Sequence, residues 1–225
     1  MPHLSTVMKI VCDPLKVRFD SIIWDWNGTL LDDVEIAISI INKLLLNRGL
    51  NPIDRRRYLD VFTFPVREYY LKIGFDLEKE PFEIPASQFI SAYNVALESC
   101  CLHHNAGKVL SGIKVAGFRQ FILSAMEQKQ LEKSVFEFGI ADFFEDLRGL
   151  DNHYASSKVE NGKLLLEEKG LNPEHTLLVG DTIHDFEVAK AIGCSCILIA
   201  HGHQSKARLV STGANVLDNL SELGF

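Results

Sequence analysis

The chain has 225 residues, of which 47% are hydrophobic and 24% are charged. This balance excludes a disordered chain and is typical of an ordinary-sized α/β domain with a modest insertion. The formal net charge of −7 at pH 7 argues against nucleic acid as a partner, because phosphate backbones are bound by basic surfaces.

No apolar run approaches the about 18–20 residues that span a bilayer, so we expect no membrane contact. Residues 1–18 lack the apolar core and cleavage site of a signal peptide, and we treat residues 1–17 as an N-terminal extension. The five cysteines include no C-x-x-C pair, which is typical of reduced thiols. We therefore expect a cytoplasmic protein, and the sequence gives no signal for its oligomeric state.

Short apolar runs are followed by polar, turn-prone residues, which is the pattern of buried parallel strands. These runs cover residues 19–24, 118–123, 176–179 and 196–199. Amphipathic helices are predicted at residues 159–169 and 185–192, with Gly170 and Gly193 as their C-caps. Alternation of strands and helices predicts an α/β fold with a doubly wound parallel sheet, whose ligands lie at the carboxyl ends of the strands.

Residues 33–105 depart from this alternation because they show helical patterning without a strand signal. The predicted helices cover residues 34–47, 66–73 and 86–102. Prolines break the pattern between them. We therefore predict an inserted all-helical cap domain over residues 33–105, and a core domain formed by residues 18–32 and 106–225.

Acidic residues follow two of the predicted strands. Asp25 comes directly after the first strand, and Asp181 and Asp185 follow the strand at residues 176–179. Carboxylates brought together at adjacent strand ends repel one another, so a hard divalent cation is their natural partner. Oxygen ligands with free positions for water favour Mg²⁺, and a carboxylate beside such a cation can act as a nucleophile.

A hydroxyl and an amine are predicted to reach the same edge of the sheet. Ser124 follows the predicted strand at residues 118–123, and its hydroxyl and the following N–H groups can bind a phosphate oxygen. Lys158 begins the helix at residues 159–169. Its ammonium can neutralise a nucleophile and phosphoryl oxygens in a transition state.

The ordered set of motifs resembles the haloacid dehalogenase-like hydrolases, closest in layout to phosphoglycolate-phosphatase-like members with a helical cap. The resemblance runs from residue 18 to the C-terminus. It rests on Asp25-Trp26-Asn27-Gly28-Thr29-Leu30, Ser124, Lys158 and Gly180-Asp181 followed by Asp185. It implies a Rossmann-like core, a Mg²⁺ cofactor and a small phosphorylated substrate.

The resemblance implies a role for each matching acidic position. Asp25 would be the nucleophile that forms an aspartyl-phosphate. Asp25, Asp181 and the backbone carbonyl of Asn27 would hold Mg²⁺. Asp185 would bind the metal through water or orient one of its ligands.

The resemblance also implies a phosphate-binding set. Ser124 and Lys158 would hold the transferred phosphoryl group as catalytic residues. Gly28, Thr29 and Ala125 would contribute further substrate contacts. The predicted cap would close over the substrate and exclude water.

Asn27 departs from the family pattern, which has an aspartate two residues after the nucleophile as the general acid and base. An amide cannot exchange a proton at pH 7, and general acid–base catalysis contributes about 10²–10⁴ in rate. We favour a Mg²⁺-dependent phosphohydrolase with an acidic leaving group, or with a proton supplied by the cap or by His184.

Two alternatives to the phosphohydrolase stay open. One is a phosphonoacetaldehyde-hydrolase-like enzyme that cleaves a carbon–phosphorus bond with a cap lysine, for which Lys43, Lys72 and Lys79 are candidates. The other is a non-catalytic protein that binds a phosphorylated ligand and regulates a process. A deliberate Asp-to-Asn substitution at position 27 would give the same sequence.

Histidine pairs occur at two places outside the acidic motifs. We interpret His103, His104, His201 and His203 as solvated loop residues, because no cysteine or acidic partner stands at ligand spacing. His201 and His203 follow the last predicted strand, which favours a place near the rim of the site. The tyrosine-containing helix at residues 66–73 is interpreted as an ordinary amphipathic helix.

Overall fold

A parallel β-sheet forms the centre of the molecule in this computed structural model, which describes residues 19–150 and 157–223. The strands are β1 (Ser21–Trp24), β2 (Leu31–Asp32), β3 (Cys101–Leu102), β4 (Arg119–Glu127), β5 (Asp146–Leu150), β6 (Thr176–Gly180), β7 (Ser195–Ile199) and β8 (Asn215–Leu217). Six of them form one sheet in the order β5-β4-β1-β6-β7-β8, and all neighbours are parallel. The predicted α/β fold with a parallel sheet is confirmed.

Helices connect the strands and cover the sheet. The α-helices are α1 (Val34–Leu46), α2 (Arg55–Val61), α3 (Val66–Lys72), α4 (Glu83–Ala96), α5 (Ala106–Val115), α6 (Gln128–Glu137), α7 (Lys158–Lys169), α8 (Ile183–Ile192) and α9 (Lys206–Val210). Short 3₁₀ turns lie at Leu97–Ser99, Ala141–Phe143, Pro173–His175 and Leu220–Leu223. Gly170 and Gly193 end α7 and α8 in the left-handed conformation, with φ of 61° and 81°, as predicted for C-caps.

The edge strands β5 and β8 were absent from the sequence prediction. β5 has the sequence DLRGL and is half-buried along most of its length, and β8 is three residues long. Edge strands carry more charged and polar residues than central ones, so neither β5 nor β8 has a continuous apolar run. The central strands β1 and β6 are fully buried, which explains why their apolar runs predicted them correctly.

The insertion contains a strand, contrary to the prediction that residues 33–105 carry none. The predicted helix at residues 86–102 ends at Ala96, and Cys101–Leu102 pairs antiparallel with Leu31–Asp32. This ribbon joins the two points where the chain leaves and re-enters the sheet region. A pair of two-residue strands is too short to show any period in sequence.

The apolar residues divide into clusters that follow the layers. Two clusters lie on the faces of the sheet, one around Trp24 and Ile122 and one around Phe121 and Leu178. A third cluster belongs to α1–α3 and their connections. A separate cluster for these helices supports the predicted core and cap division, which stays a prediction. We call α1–α4 the insertion helices.

Two further expectations concern membrane contact and the N-terminal residues. Among the described residues, every helix is too short or too polar to cross a bilayer. The predicted N-terminal extension, residues 1–17, lies outside the part of the chain that the structure describes.

Candidate functional site

Asp25 lies at the carboxyl end of the central strand β1. Its backbone N–H donates to the carbonyl of Val179 on β6 at 2.8 Å, so the ladder with the neighbouring strand fixes the position of its Cα. Its side chain is buried, and one carboxylate oxygen accepts a hydrogen bond from the ammonium of Lys158. The hydroxyl of Thr29 lies 3.3 Å from the other oxygen.

Asp181 and Asp185 flank the start of α8, just beyond β6. Thr182 is the N-cap of α8 and forms a reciprocal capping box with Asp185, which fixes the orientation of that carboxylate. Asp181 accepts hydrogen bonds from the Thr29 hydroxyl at 3.0 Å and from the N–H of His203 at 2.6 Å. Both aspartates are fully or almost fully buried.

Lys158 enters the same cluster from the first residue of α7. Ser157 caps this helix and forms a capping box with Glu160, so the helix starts where Lys158 turns inward. The ammonium donates to Asp25 and, at 2.5 Å, to Asp185. Its side chain is 4% exposed. The structure thus brings Asp25, Lys158 and the Asp181–Asp185 motif together, although these three segments are far apart in sequence.

Burial sets the electrostatics of this cluster. Burial raises the pKa of the Asp25 carboxyl to about 6, and the neighbouring Asp185 adds to the rise while Lys158 opposes it. Burial also raises the pKa of Asp181 well above its ordinary value. Burial opposes the charged form of Lys158, but Asp185 and Asp25 outweigh it and raise the pKa of the amine. Lys158 therefore compensates Asp25 and Asp185, whereas His203 is the positive group that opposes the rise at Asp181.

The chemistry of this donor set fits a hard divalent cation. Oxygen atoms of Asp25, Asp181 and Asp185 lie within 4.8 Å of one another. Buried carboxylates are costly unless paired or bound to a metal, and oxygen ligands are those preferred by Mg²⁺ and Ca²⁺. Among the described residues, these three form the one His, Cys, Asp and Glu group with metal-binding geometry.

Glycines allow the backbone to approach Asp181 closely. Gly28 has φ +75°, and a Cβ there would lie 2.4 Å from a carboxylate oxygen of Asp181 and 2.5 Å from the ring of His203. A Cβ at Gly202 would lie 2.1 Å from the same oxygen. Any larger residue at either position would displace the carboxylate, so these glycines are steric requirements of the site.

Asn27 is held by a buried network that suits an amide. Its side-chain N–H₂ donates to Asp33 at 3.1 Å and to the Tyr93 hydroxyl at 2.7 Å. Tyr93 in turn donates to Asp33, and the Gly28 N–H donates to Asp33 at 2.8 Å. Both N–H groups of the amide thus find acceptors, and its side-chain oxygen has no hydrogen-bond partner among the described residues. A carboxylate at position 27 would lack these donors.

His203 is buried, so its interpretation as a solvated loop residue is wrong. Its Nε2 lies 3.1 Å from Asp33 and its Nδ1 lies 2.8 Å from the Tyr58 hydroxyl. Burial disfavours the charged ring, but Asp33 outweighs burial and raises the pKa of His203 to about 9. The carboxyl of Asp33 has a lowered pKa because His203 and its hydrogen-bond donors outweigh its own burial. The two form an ion pair at neutral pH.

His103 and His201 are also placed differently from the prediction. Their rings stack with centroids 3.6 Å apart. Each Nε2 lies 3.1 Å from a backbone carbonyl of the Asp25 loop, that of Gly28 for His103 and that of Thr29 for His201. Burial lowers the pKa of both rings, that of His201 to about 4. They support the loop as neutral groups, whereas His104 is exposed as predicted.

Ser124 lies inside a strand rather than after one, because β4 continues to Glu127 with an irregular register beyond Leu123. Its side chain is completely buried and accepts a hydrogen bond from the Met126 N–H at 3.1 Å. Ala125 and Met126 line the cavity described below. The apolar run ended at residue 123, which is why the sequence predicted a strand end there.

A cavity of about 800 Å³ opens from the acidic cluster toward the insertion helices. Asp25, Asn27, Lys158, Asp181 and Asp185 line its floor. The opposite wall is formed largely by rings of the insertion helices and their connections, which are Tyr58, Phe62, Phe64, Tyr69, Tyr70, Phe82, Phe89 and Tyr93. The helix predicted at residues 66–73 therefore turns its two tyrosines toward the cavity, while its basic residues are exposed.

His184 reaches the cavity wall between the two parts. Its ring stacks on Phe64 with centroids 4.8 Å apart. Burial, aided by Lys158, lowers the pKa of this histidine, so the ring is neutral at neutral pH.

Sequence reasoning did not select Asp33, Tyr93 or His203 as site residues. Asp33 lies three residues after the first motif, and this closeness in sequence could have marked it as a site residue. Tyr93 and His203 meet Asp33 from 60 and 170 residues away. No local pattern reports such long-range contacts.

Comparisons with known proteins agree with this architecture. A family model described as haloacid dehalogenase-like hydrolase matches residues 22–199. An N-acetylmuramic acid 6-phosphate phosphatase of Pseudomonas aeruginosa is 25% identical over 195 residues, which cover 84% of each chain. A phosphoglycolate phosphatase of Synechococcus elongatus is 22% identical, covering 85% of this chain and 88% of its own.

A solved structure shows the same fold. It is that of a predicted phosphatase from Clostridium acetobutylicum, which superposes with a TM-score of 0.74 at 19% identity. The match covers 92% of this chain and 96% of the other. The family match spans most of the chain and includes Asp25, Lys158 and Asp181. The chain belongs to the haloacid dehalogenase-like hydrolases, and it is a hydrolase of the phosphatase type.

Proposed function

We propose that the protein is a Mg²⁺-dependent phosphohydrolase that cleaves a small phosphorylated metabolite through an aspartyl-phosphate on Asp25. The observation that supports this most directly is the buried cluster of Asp25, Asp181, Asp185 and Lys158 at the floor of a large cavity. Small-molecule sites are concave pockets with few convergent polar groups and perturbed pKa values. The named relatives include phosphatases of small phosphorylated compounds.

Asp25, Asp181 and the backbone carbonyl of Asn27 would hold Mg²⁺, with Asp185 as a further ligand or as an orienting group. When bound, the ion supplies charge neutralisation to the phosphoryl group and to the carboxylates around it. Asp185 already binds Lys158 and the N-cap of α8, which favours its orienting role. Hydrogen bonds from backbone N–H groups, from the hydroxyls of Thr29 and Thr182 and from the buried Lys158 hold these carboxylates, so the site is preorganised.

The chain's own residues divide the reaction between them. A carboxylate oxygen of Asp25 attacks phosphorus, and the bond between phosphorus and the leaving oxygen breaks. Lys158 remains charged and stabilises both the carboxylate and the phosphoryl oxygens. Water then attacks the aspartyl-phosphate, which releases inorganic phosphate and restores Asp25. Gly28, Thr29 and Ala125 are proposed as further phosphate contacts. The resemblance gave Ser124 the same role, but its completely buried side chain accepts from the Met126 N–H, so we assign it to fixing the backbone of Ala125 and Met126 in β4.

Asn27 determines which leaving groups are favoured. Its amide donates to Asp33 and Tyr93 and has no proton to give to a leaving oxygen. We therefore expect faster cleavage of acyl or aryl phosphates, whose leaving groups depart without protonation, than of alkyl phosphates.

A carbon–phosphorus hydrolase receives less support than the phosphohydrolase. That chemistry needs a cap amine facing the substrate, and Lys43, Lys72 and Lys79 are all exposed to solvent. Lys79 pairs with Asp76 at 2.7 Å. Among the described residues that line the cavity, Lys158 of the floor supplies the amine.

Phosphate release from acetyl phosphate, p-nitrophenyl phosphate and alkyl phosphates, with Mg²⁺ and with a chelator, tests the proposal. We expect Mg²⁺-dependent release that Asp25→Asn lowers by about 10⁴-fold or more. Asp32→Asn is the matched control, because Asp32 lies in β2, directly after the loop that carries Asp25, with a half-exposed side chain. Equal rates in the chelator, or an unchanged rate for Asp25→Asn, would contradict the proposal.

A further inference from the structure

The cavity is much larger than a phosphate and a two-carbon acid require. Its volume is about 800 Å³, within the range of about 300–1,000 Å³ of pockets that bury drug-sized ligands. The acidic cluster occupies one end. The remaining space is therefore available to the part of the substrate that leaves with the oxygen.

Aromatic rings form the wall of this remaining space. Phe62 lies against Tyr58 with centroids 5.3 Å apart, and Phe89 stacks on Tyr93 at 5.7 Å with an interplanar angle of 15°. Phe82 meets Tyr70 edge to face at 5.3 Å. Rings that pack against one another keep fixed orientations, and they offer flat faces and edges to a planar partner.

In the described part of the chain, this wall has no lysine or arginine, and the charged ring of His203, which also lines the cavity, is paired with Asp33. Among the described residues that line the cavity, Lys158 is the one lysine or arginine, and it is committed to Asp25 and Asp185. The ionisable side chains of the wall outside the floor network are Glu127, Glu160 and His184. A second anionic group on the substrate would lose its hydration without gaining a counter-charge, which is costly.

The basic residues of the insertion helices do not change this balance. Arg48 donates to Glu80 at 2.6 Å and 2.9 Å. Arg67 and Lys72 are exposed on the outer side of α3. The insertion helices thus offer apolar rings to the cavity and cations to solvent.

We propose that the substrate's leaving group is a bulky, uncharged moiety with an aromatic ring, and that monoesters with a second anionic group are excluded. This inference rests on the proposed function, under which the phosphate binds at the floor of the cavity. Rings burying about 100 Å² more apolar surface than a short alkyl chain gain on the order of 10- to 100-fold in affinity. A carboxylate or second phosphate on the substrate does not gain this affinity and is repelled by Glu127 and Glu160 of the cavity lining.

Binding of unreactive phosphonates in the presence of Mg²⁺ tests the inference without turnover. We would measure naphthylmethylphosphonate, ethylphosphonate and phosphonoacetate by calorimetry. The expected order places the aromatic compound at least about tenfold tighter than the ethyl compound. Phosphonoacetate is expected to bind weakest. Equal affinities, or tightest binding by phosphonoacetate, would overturn the inference.

A charge placed in the wall provides a second test. Ile90 of α4 lines the cavity, and Val95 of the same helix is 78% exposed and does not line it. Ile90→Lys should strengthen binding of phosphonoacetate by about tenfold and weaken binding of naphthylmethylphosphonate. Val95→Lys should change neither. If both variants strengthened phosphonoacetate binding equally, the cause would be long-range attraction of the ligand by any added positive charge. That result would contradict the inference, which requires a contact with the cavity wall.

Failure of the inference is distinguishable from failure of the proposed function. Turnover of acetyl phosphate with no preference among the phosphonates keeps the function and overturns the inference. Selective binding of the aromatic phosphonate without Mg²⁺-dependent turnover of any ester supports the inference about the cavity and contradicts the function.

Discussion

The floor and the wall of the cavity are built in opposite ways. The floor is polar and charged. Backbone N–H groups hold Asp181 and Asp185, and the Lys158 ammonium holds Asp25. The wall consists of rings from the insertion helices, which pack on one another and present little charge. The floor sits on strand ends and helix starts that the sheet holds rigidly. Under the proposed function, this contrast predicts that the core residues carry out the chemistry and that the insertion helices select the substrate.

The two regions also differ in how a substitution should act. A substitution in the floor changes a buried charge or adds atoms where there is no space for them. It should therefore lower both the stability and the activity of the protein. A change in the wall alters the shape and charge met by the leaving group, so it should shift substrate preference. The following predictions test the first half of this comparison, and the phosphonate experiments test the second.

Lys158→Met should have the largest effect on the free energy of unfolding. Removing one partner of a buried ion pair costs about 3–5 kcal/mol of unfolding free energy, and phosphate release should fall by at least about 10³-fold. Urea unfolding in a chelator and phosphate release measure the two effects. Lys163→Met on the exposed side of the same helix is the control. Similar losses in both variants would show a general effect on α7.

Gly28→Ala should have the next largest effect on stability. The left-handed φ costs about 1–2 kcal/mol for a residue with a Cβ, and the new methyl would meet Asp181 at 2.4 Å, which adds to that cost. Gly139→Ala is matched, since φ is +66° with nothing within 4 Å of the added Cβ. We expect urea midpoints to fall much further for Gly28→Ala. Equal losses would show that conformation alone sets the cost.

Asn27→Asp should destabilise the protein by about 1–3 kcal/mol instead of repairing it. In the native protein the Asn27 amide donates to Asp33 at 3.1 Å. The new carboxylate would lie at about the same distance from Asp33, and two negative charges at such a short distance repel each other. Adding Asp33→Asn should restore a donor and recover part of the loss. A double-mutant cycle measures this coupling, and additive losses would contradict it.

The same double variant should also gain activity. The carboxyl group introduced by Asn27→Asp supplies an exchangeable proton, so release from alkyl phosphates should rise by about 10- to 100-fold over the native protein. Asp33→Asn alone is the control, because it changes the network without adding an acid at position 27. No gain in the double variant would show that position 27 does not limit turnover.

The smallest effect concerns pH. His203 has a folded-state pKa of about 9, above its ordinary 6.5, so its pairing with Asp33 stabilises the fold fully below about pH 6.5. This stabilisation is lost as pH rises through about 9. We expect the Tm to fall by about 5 °C between about pH 7 and about pH 9.5. Asp33→Asn should flatten this slope, and an unchanged slope would exclude the pair as its cause.

The central strands and the order of the motifs were predictable because they rest on local signals. β1 and β6 are buried on both faces and therefore read as unbroken apolar runs. Asp25 and Asp181 follow them directly, and parallel strands align their carboxyl ends. The lengths of α7 and α8 were predictable from Gly170 and Gly193, which end them. In each case the residues that decide the structure are neighbours in sequence.

The tertiary structure alone decided which residues far apart in sequence are in contact. Asp33 joins Asn27, Tyr93 and His203, and the burial of His203 follows from that ion pair rather than from its loop sequence. The edge strand β5 and the β2–β3 ribbon form because partners across the chain satisfy their backbone groups. The aromatic wall likewise arises from how helices α2–α4 pack. Such contacts depend on packing between distant segments, which no local pattern encodes.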